Sequence, residues 1–172
     1  MDLPLALASP AEPRLNLRAA GPGDLEDLRA WKNANKAGFF FQEDITSEMQ
    51  RRWYESYRAR PHDFMFIVEF GGAKAGCMGF RLTDSGAADT YNMIASPAEK
   101  GKGLMKAAML LMCSYIAERH SKDIGCLVLK NNPAVKYYEH CGYKIAGDGG
   151  DHHILKLDWA RFRPVPYTIT RA

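Results

Sequence analysis

The stretch Ser96-Pro97-Ala98-Glu99-Lys100-Gly101-Lys102-Gly103-Leu104 joins an apolar run on its N-terminal side to a long apolar helix pattern on its C-terminal side. A turn of this composition exposes consecutive backbone N–H groups at the start of a helix, where an anion can bind. Glycine permits positive φ and close approach of the backbone to a ligand, and the two lysines add positive charge. The sequence therefore predicts a site for a phosphate-bearing cofactor in this turn.

The hydrophobic patterns on either side of this turn predict seven strands and four helices. Strands are expected over residues 14–19, 64–70, 75–82, 88–95, 124–129, 143–146 and 153–157. Helices are expected after Asp24, after Thr46 and Ser47, over 104–119 and over 133–140. Thr46 and Ser47 can each cap the second helix, and Ser47 with Gln50 fits a capping box. The order β-α-α-β-β-β-α-β-α-β-β predicts an α/β (α+β) fold, with a mixed, mostly antiparallel sheet and helices on both faces. We expect a flexible leader over 1–13, one folded domain over 14–159 and a tail over 160–172.

The composition argues against several classes of function. The net charge is +3 over 172 residues, and no basic stripe is interleaved with aromatic residues, so nucleic acid is not an expected partner. There is no apolar run of about 18 residues and no basic n-region of a signal peptide, so we expect neither a membrane anchor nor secretion. The four cysteines form no C-x-x-C pair and lie in apolar stretches. They predict buried, reduced thiols in a cytoplasmic protein without a metal site.

A second segment, Asn132-Pro133-Ala134-Val135-Lys136-Tyr137-Tyr138-Glu139-His140-Cys141-Gly142-Tyr143, follows the fifth predicted strand. It is similar to the Asn-x-Ala-x-x-x-Tyr-x-x-x-Gly-Phe segment of the GNAT superfamily of N-acetyltransferases, with Tyr143 in place of the phenylalanine. Lys100-Gly101-Lys102-Gly103-Leu104-Met105 likewise resembles the family's pyrophosphate loop, Gln/Arg-x-x-Gly-x-Gly/Ala, with lysine at the first position and methionine at the last. The two motifs together, at this spacing, identify residues 14–159 as a member of that superfamily.

The resemblance implies acetyl-CoA as cofactor and a sheet splayed between the fourth and fifth predicted strands. It implies that the amides of the glycine turn surround the pyrophosphate, and that the fourth strand pairs with the pantetheine arm through its backbone. Asn132 is expected to contact the pantetheine or to hold the turn before the helix, and Met105 to keep the helix slightly farther from the phosphates. The cofactor-binding residues implied are Met93, Ile94, Ala95, Lys100, Gly101, Lys102, Gly103, Leu104, Met105, Asn132, Ala134 and Tyr138.

The resemblance also implies that Tyr138 is the general acid for the leaving thiolate. A phenol with a pKa of about 10 stays protonated at neutral pH and can donate to a thiolate whose conjugate acid has a pKa of about 8.5. The general base stays open, because the fourth strand reads Thr90-Tyr91-Asn92-Met93 and its one carboxylate, Asp89, stands at its start. Candidates are Glu43, Asp44, Asp151, His152 and His153, or a water held by Tyr91 or Asn92.

We expect the acceptor site between the first helices and the last hairpin. The segment from Trp31 to Trp53 resembles the family branch that acetylates amino sugars on nucleotide carriers, and to a lesser degree the branch that acts on protein N-termini. The acceptor-binding residues expected are Trp31, Asn33, Phe40, Tyr91, Asn92 and His152. The sequence thus favours N-acetylation of a small-molecule amine. Acetylation of a protein N-terminus or lysine and a non-catalytic acyl-CoA sensor are the alternatives, and a homodimer is a further expectation.

Overall fold

The computed structural model describes residues 5–171, which form nine strands and four α-helices. The strands are β1 (Leu5–Ala8), β2 (Leu15–Ala19), β3 (Asp63–Phe70), β4 (Ala73–Leu82), β5 (Ala88–Ala95), β6 (Ile124–Leu129), β7 (Tyr143–Asp148), β8 (His152–Leu157) and β9 (Thr168–Arg171). The helices are α1 (Leu25–Ala34), α2 (Ser47–Arg58), α3 (Leu104–Arg119) and α4 (Val135–His140). All seven predicted strands and all four predicted helices are present, so the predicted single α/β domain is confirmed.

The nine strands form one sheet in the order β7-β8-β6-β5-β4-β3-β2-β1-β9. Only β5 and β6 run parallel, and they are joined by the crossover helix α3. Their pairing covers two positions, Ala88 with Ile124 and Asp89 with Gly125, after which the strands diverge. The mixed sheet and its splay at this strand pair are both as expected.

Helices cover both faces of the sheet, so the central strands are buried on both sides. Phe66 and Val68 of β3 belong to the apolar cluster that contains α3 and α4. Met65 and Ile67, which alternate with them, belong to a second cluster that also holds Leu28 of α1. The strict alternation along β3 is the sequence signal of this two-layer covering.

The two ends of the described chain are part of the sheet, which corrects the expected leader and tail. Strand β1 pairs with β2 on one side and with β9 on the other, and Leu7 is fully buried. Phe162 is 2% exposed and packs on Gly142. Strands of four residues are too short for a periodic signal, and their partners are far apart in sequence. Residues 1–4 and 172 of the expected leader and tail lie outside the described residues.

The start of α2 uses one of its two expected caps, and the start of α1 departs from the expected cap. The N-cap of α2 is Thr46, whose hydroxyl accepts a hydrogen bond from the Met49 amide at 3.2 Å, in place of the Ser47–Gln50 box. Asp24 caps no amide of α1 with its side chain; its carboxylate binds Arg18 at 2.7 Å and Lys74 at 2.8 Å. Burial alone would raise the pKa of Asp24, but these cations hold it well below its ordinary value. The ion pairs fasten α1 to β2 and β4.

Candidate active site

A cleft of about 590 Å³ opens where β5 and β6 diverge. Its walls are β5, β6, the first part of α4, and the α1–α2 loop (residues 35–46) with the helices beside it. The expected site residues that line the cleft are Phe40, Tyr91, Asn92, Met93, Ile94, Asn132, Ala134 and Tyr138. The fold therefore brings residues of both groups, those expected for the cofactor and those expected for the acceptor, to one place.

The wall formed by β5 is an irregular, open strand edge. Beyond Asp89, β5 has no neighbouring strand on its β6 side within residues 5–171. Its ladder with β4 shifts register between Cys77 and Gly79, and Asn92 has a φ of 53°, in the left-handed region. A bulge of this kind turns a peptide group out of the ladder. The backbone groups of residues 93–95 alternate between the two edges of the strand, and the Ile94 carbonyl lies on the β4 side, near Gly76. Those that point away from β4 face the splay, where an extended ligand can pair with them like an added strand.

Tyr138 of α4 presents a free phenol to this cleft. Tyr138 is 8% exposed and lines the cleft, and its hydroxyl forms no hydrogen bond with any group of residues 5–171. Its ring packs edge-on against Tyr137 and Tyr143, with centroid distances of 5.4 and 5.6 Å. Burial raises the pKa of Tyr138 well above its ordinary value. The side chain is thus a fixed hydroxyl that keeps its proton and has no internal acceptor for it.

The turn over residues 96–103 has the backbone of an anion site. Gly101 and Gly103 have φ values of 82° and 76°, and the place where a Cβ would lie is open at both. Gly103 is the N-cap of α3, and the first turn of α3 has no side-chain cap. The first amides of a helix need an acceptor from outside the helix. A pyrophosphate group fits this uncapped, glycine-lined start, with Lys100 and Lys102 on the same turn.

Met105 does not stand between α3 and this site. Its side chain is 9% exposed and belongs to the core, and a Cβ on Gly76 would lie 3.1 Å from its sulfur. Its carbonyl accepts a hydrogen bond from the Tyr137 hydroxyl at 2.7 Å, which ties α3 to α4. The methionine fills the space above a glycine of β4, so the expectation that it holds the helix away from the phosphates lacks support in the packing.

Asn132 links two walls of the cleft. Its Oδ1 accepts from the Ala134 amide at 2.9 Å, which holds the turn before α4. Its Nδ2 donates to the carbonyl of Gly38 at 3.0 Å, in the α1–α2 loop. Of the two roles expected for Asn132, these bonds support the holding of the turn.

A cluster of charged side chains at the cleft was missed by the sequence reasoning. Asp63, the first residue of β3, accepts a hydrogen bond from the Tyr91 hydroxyl and pairs with Arg60 at 3.2 Å. Asp89 pairs with Arg81 at 3.4 Å, and Arg81 also lies 4.3 Å from the centroid of the Tyr91 ring. Burial raises the pKa of Asp89 above its ordinary value, against the opposing charge of Arg81. Only the strand register, which places Arg81 between the two carboxylates, could have revealed the cluster.

Three expected acceptor residues do not line the cleft. Trp31 is 8% exposed and packs in the core cluster beneath α1. Asn33 donates to the Ile45 carbonyl at 3.0 Å and accepts from the Ile45 amide at 2.8 Å, so it shapes the α1–α2 loop. His152 contacts the Phe40 ring edge-on and binds Asp151 at 2.7 Å. Helical spacing and loop composition could not tell these structural roles from ligand binding.

The expected base candidates outside β5 are also absent from the cleft wall. Asp44 pairs with Lys36 at 2.7 Å, and Asp151 is paired with His152. Neither residue lines the cleft, and nor do Glu43 and His153. Among residues 5–171, Asp89 and Asp63 are the two carboxylates that line it.

A model of the acetyltransferase (GNAT) family matches residues 26–143, more than half of the sequence. The chain belongs to this family, whose cosubstrate is acetyl-CoA, and it is an N-acetyltransferase that acts on amines. No curated protein sequence matches it.

Proteins of known structure with the same fold are named for several kinds of acceptor. Spermidine N-acetyltransferase from Vibrio cholerae, in complex with CoA and spermine, is 22% identical with a TM-score of 0.69, over 83% of this chain and 93% of that one. FdhC, a nucleotide-linked sugar GNAT, is 14% identical with a TM-score of 0.72, over 86% and 88% of the two chains. RimL, a ribosomal L7/L12 alpha-N-protein acetyltransferase, is 17% identical with a TM-score of 0.69, over 86% and 90%. At these identities the likeness concerns the fold.

Within the described part of the chain, no helix is both long and apolar enough to span a membrane.

The four cysteines are all buried and free of disulfides, as the sequence predicts.

Proposed function

We propose that the chain transfers the acetyl group of acetyl-CoA to the primary amine of a small molecule, with Tyr138 as the general acid. The observation that carries this proposal is the Tyr138 hydroxyl, protonated and without a hydrogen-bond acceptor, in the cleft between β5 and β6. As the new N–C bond forms and the C–S bond breaks, Tyr138 donates its phenolic proton to the departing sulfur. General acid–base assistance of this kind contributes about 10²- to 10⁴-fold to a rate.

The cosubstrate supplies an acetyl group activated as a thioester. The amides at positions 101, 103, 104 and 105 and the Lys100 and Lys102 ammonium groups hold its pyrophosphate, while the Lys102 and Lys106 amides donate within the turn itself, at 3.4 and 3.2 Å. The open edge of Met93, Ile94 and Ala95 aligns its pantetheine arm along β5. Holding both reactants in one cleft supplies much of the acceleration, since well-oriented reactions gain about 7–11 kcal/mol from proximity.

Asp89 is the base that the geometry favours. Its carboxylate lines the same cleft as Tyr138, and the two groups interact electrostatically. Because burial raises the pKa of Asp89, its carboxylate is a stronger base than an exposed one. Asp89 takes the proton lost by the amine, directly or through one water, with Arg81 as its one ion-pair partner at 3.4 Å within residues 5–171. Asp63 is engaged by two groups, Tyr91 and Arg60.

The acceptor belongs in the part of the cleft that the α1–α2 loop covers. Phe39, Phe40 and Phe41 line it, and Phe40 is 55% exposed, so planar or apolar faces are available to a sugar or base. An amino sugar, free or linked to a nucleotide, fits these surfaces, and FdhC shows the same fold used for a nucleotide-linked sugar. A protein N-terminus is the second candidate acceptor, since RimL, an alpha-N-protein acetyltransferase, has the same fold. The buried free thiols favour a reducing compartment, the cytoplasm.

The test is release of free thiol from acetyl-CoA in the presence of a panel of amines. The panel contains amino sugars, a nucleotide-linked amino sugar, polyamines, amino acids and an N-terminal peptide. Turnover with a small amine, above the rate with water alone, is the expected result. CoA binding without turnover on any amine would instead support a sensor, and preference for the peptide would support protein acetylation.

A further inference from the structure

Lys32 carries its charge into the cleft without a carboxylate beside it. Three cations line the cleft: Lys32, Arg60 and Arg81. Arg60 is paired with Asp63, and Arg81 is paired with Asp89. Lys32 has no ion pair within residues 5–171; its ammonium bonds to an amide and lies over a ring.

The groups around the Lys32 ammonium are polar or aromatic but uncharged. Asn92 Oδ1 accepts its hydrogen bond at 2.5 Å, and the centroid of the Phe39 ring lies 3.2 Å away. Cys77, from β4, also interacts with it, but burial raises the pKa of that thiol to about 12, so it is neutral. An amide oxygen and a ring face offset only part of the cost of burying an ammonium. In keeping with this, burial lowers the pKa of Lys32 to about 8.

We propose that Lys32, together with Phe39 and Asn92, recognises an anionic oxyacid group, a carboxylate or a phosphate, on the amine that the enzyme acetylates. This inference rests on the proposed function. The acceptor's anion completes the ion pair that the protein itself leaves unmade, and its binding favours the charged form of Lys32. A polycationic amine would meet a like charge at the same point, which is unfavourable.

The reacting amine is served by other residues, so one acceptor can engage both sets. Tyr138 and Asp89 lie on the α4 and β5 walls, whereas Lys32 enters from the last turn of α1. The Lys32–Asn92 bond reaches the bulge in β5, beside the strand edge that faces the pantetheine arm. An anion held there fixes the orientation of the acceptor without taking part in proton transfer.

The experiment compares matched amines that differ only in the anionic group. Glucosamine 6-phosphate is compared with glucosamine, and β-alanine with β-alaninamide, in steady-state assays with acetyl-CoA. Spermidine is included as the polycationic amine, which the inference expects to be a poor acceptor. Wild type is compared with Lys32→Met, which keeps an unbranched side chain without charge, and with Lys32→Arg, which keeps the charge. Lys122→Met, at an exposed position between α3 and β6 and away from the cleft, is the matched control.

We expect the anionic member of at least one pair to have the lower KM. Lys32→Met should raise that KM at least about tenfold, as expected for loss of a charge-assisted contact, with a smaller change in kcat. Lys32→Arg should restore part of the affinity, and Lys122→Met should behave as wild type. The phosphate and carboxylate pairs tell which oxyacid is preferred. A lower KM for spermidine than for the anionic amines overturns the inference. So does an equal rise in KM for the charged and the uncharged member of a pair in Lys32→Met.

A binding arm separates this inference from the proposed function. If no amine of the panel is acetylated, calorimetry with CoA-saturated protein measures the affinity for glucosamine 6-phosphate, β-alanine and their uncharged partners. Tighter binding of an anionic member, lost in Lys32→Met, supports anion recognition even though the acetyl transfer has failed. Binding that does not depend on the anionic group, or on Lys32, overturns it.

Discussion

Asn132 Nδ2 lies 3.0 Å from the carbonyl oxygen of Gly38, and this bond joins the α1–α2 loop to the turn that starts α4. A Cβ on Gly38 would lie 2.9 Å from the same nitrogen, so the two residues meet as closely as a glycine allows. Because the loop and α4 belong to different walls of the cleft, this contact, together with the Asn33–Ile45 bonds, holds the loop over the splay.

Asn132→Ala should therefore loosen the loop as well as the start of α4. It removes the bond to Gly38 and the bond from the Ala134 amide, and we expect a loss of about 1–3 kcal/mol in the free energy of unfolding. The acceptor KM should rise with it. Urea unfolding and steady-state kinetics provide the measurements. Asn131→Ala, at the exposed neighbouring position, is the control, and equal effects of the two changes would show that the bonds are unimportant.

Gly103→Asp should abolish CoA binding and leave the fold in place. The new carboxylate would face the phosphates at the start of α3, and like-charge contacts of this kind cost several kcal/mol, or at least about 100-fold in Kd. Gly86→Asp is a matched control, since Gly86 has a φ of 81° and open space at its Cβ, in the turn between β4 and β5. It carries the same backbone strain away from the cleft. Calorimetric titration with CoA should detect weakening in the first variant alone.

Tyr138→Phe should lower kcat by about 10²-fold or more and leave the affinity for acetyl-CoA within about twofold. Its hydroxyl has no bond within residues 5–171, so the free energy of unfolding should not fall. Tyr137→Phe provides the opposite pattern: it loses the bond to the Met105 carbonyl, about 1 kcal/mol of stability, with little change in kcat. Rapid-mix thiol release and thermal unfolding distinguish the two. A wild-type kcat in Tyr138→Phe would remove this residue from the mechanism.

Asp89→Asn should reduce kcat/KM by about 10²-fold and remove the acid limb of its pH profile. In the wild type, activity should fall on acidification at a pH above the ordinary carboxyl pKa, because burial raises the pKa of Asp89. Asp63→Asn breaks contacts to Tyr91 and Arg60, so it should cost stability while the acid limb persists. Persistence of the acid limb in Asp89→Asn would assign the base to another group.

Lys32→Met should stabilise the protein at neutral pH by about 2–3 kcal/mol. The folded-state pKa of Lys32 is lowered to about 8, so the unfolded chain binds its proton more readily than the folded one. The contribution of Lys32 to the stability of the wild type should therefore rise as the pH increases from about 8 towards the ordinary lysine value, so the stability difference between Lys32→Met and the wild type should shrink over this range. Burial raises the pKa of Cys77 to about 12, so above its ordinary value of 9.0 the unfolded thiol loses its proton first and the stability of both proteins falls. Chemical unfolding of both proteins between pH 6 and about 10.5 checks the difference. A loss of stability in the variant would mean that Lys32 has a structural role.

Local sequence patterns predicted most of the fold, because each of these patterns depends only on residues that are close together in the sequence. The alternation along β3 and the glycines at positions 101 and 103 depend on backbone period and φ alone. The pairing of β1 with β9 was missed, because it joins two short strands from opposite ends of the chain. The cap of α2 stayed open between Thr46 and Ser47 for a related reason: neighbouring hydroxyls look alike in sequence, and only the geometry selects Thr46.

The sequence by itself determined the family, the single domain and the two motifs at α3 and α4, since these rest on residue type and spacing. Only the tertiary structure decided which polar groups share the cleft. Trp31 and Asn33 stay in the scaffold while Lys32 between them enters the cleft, because successive residues of a helix point about 100° apart and only packing selects the face. Asp63, Arg81 and Asp89 meet through strand register across three strands. Contacts between distant segments leave no local pattern in the sequence. The set of polar groups that faces the acceptor is therefore decided by the tertiary structure.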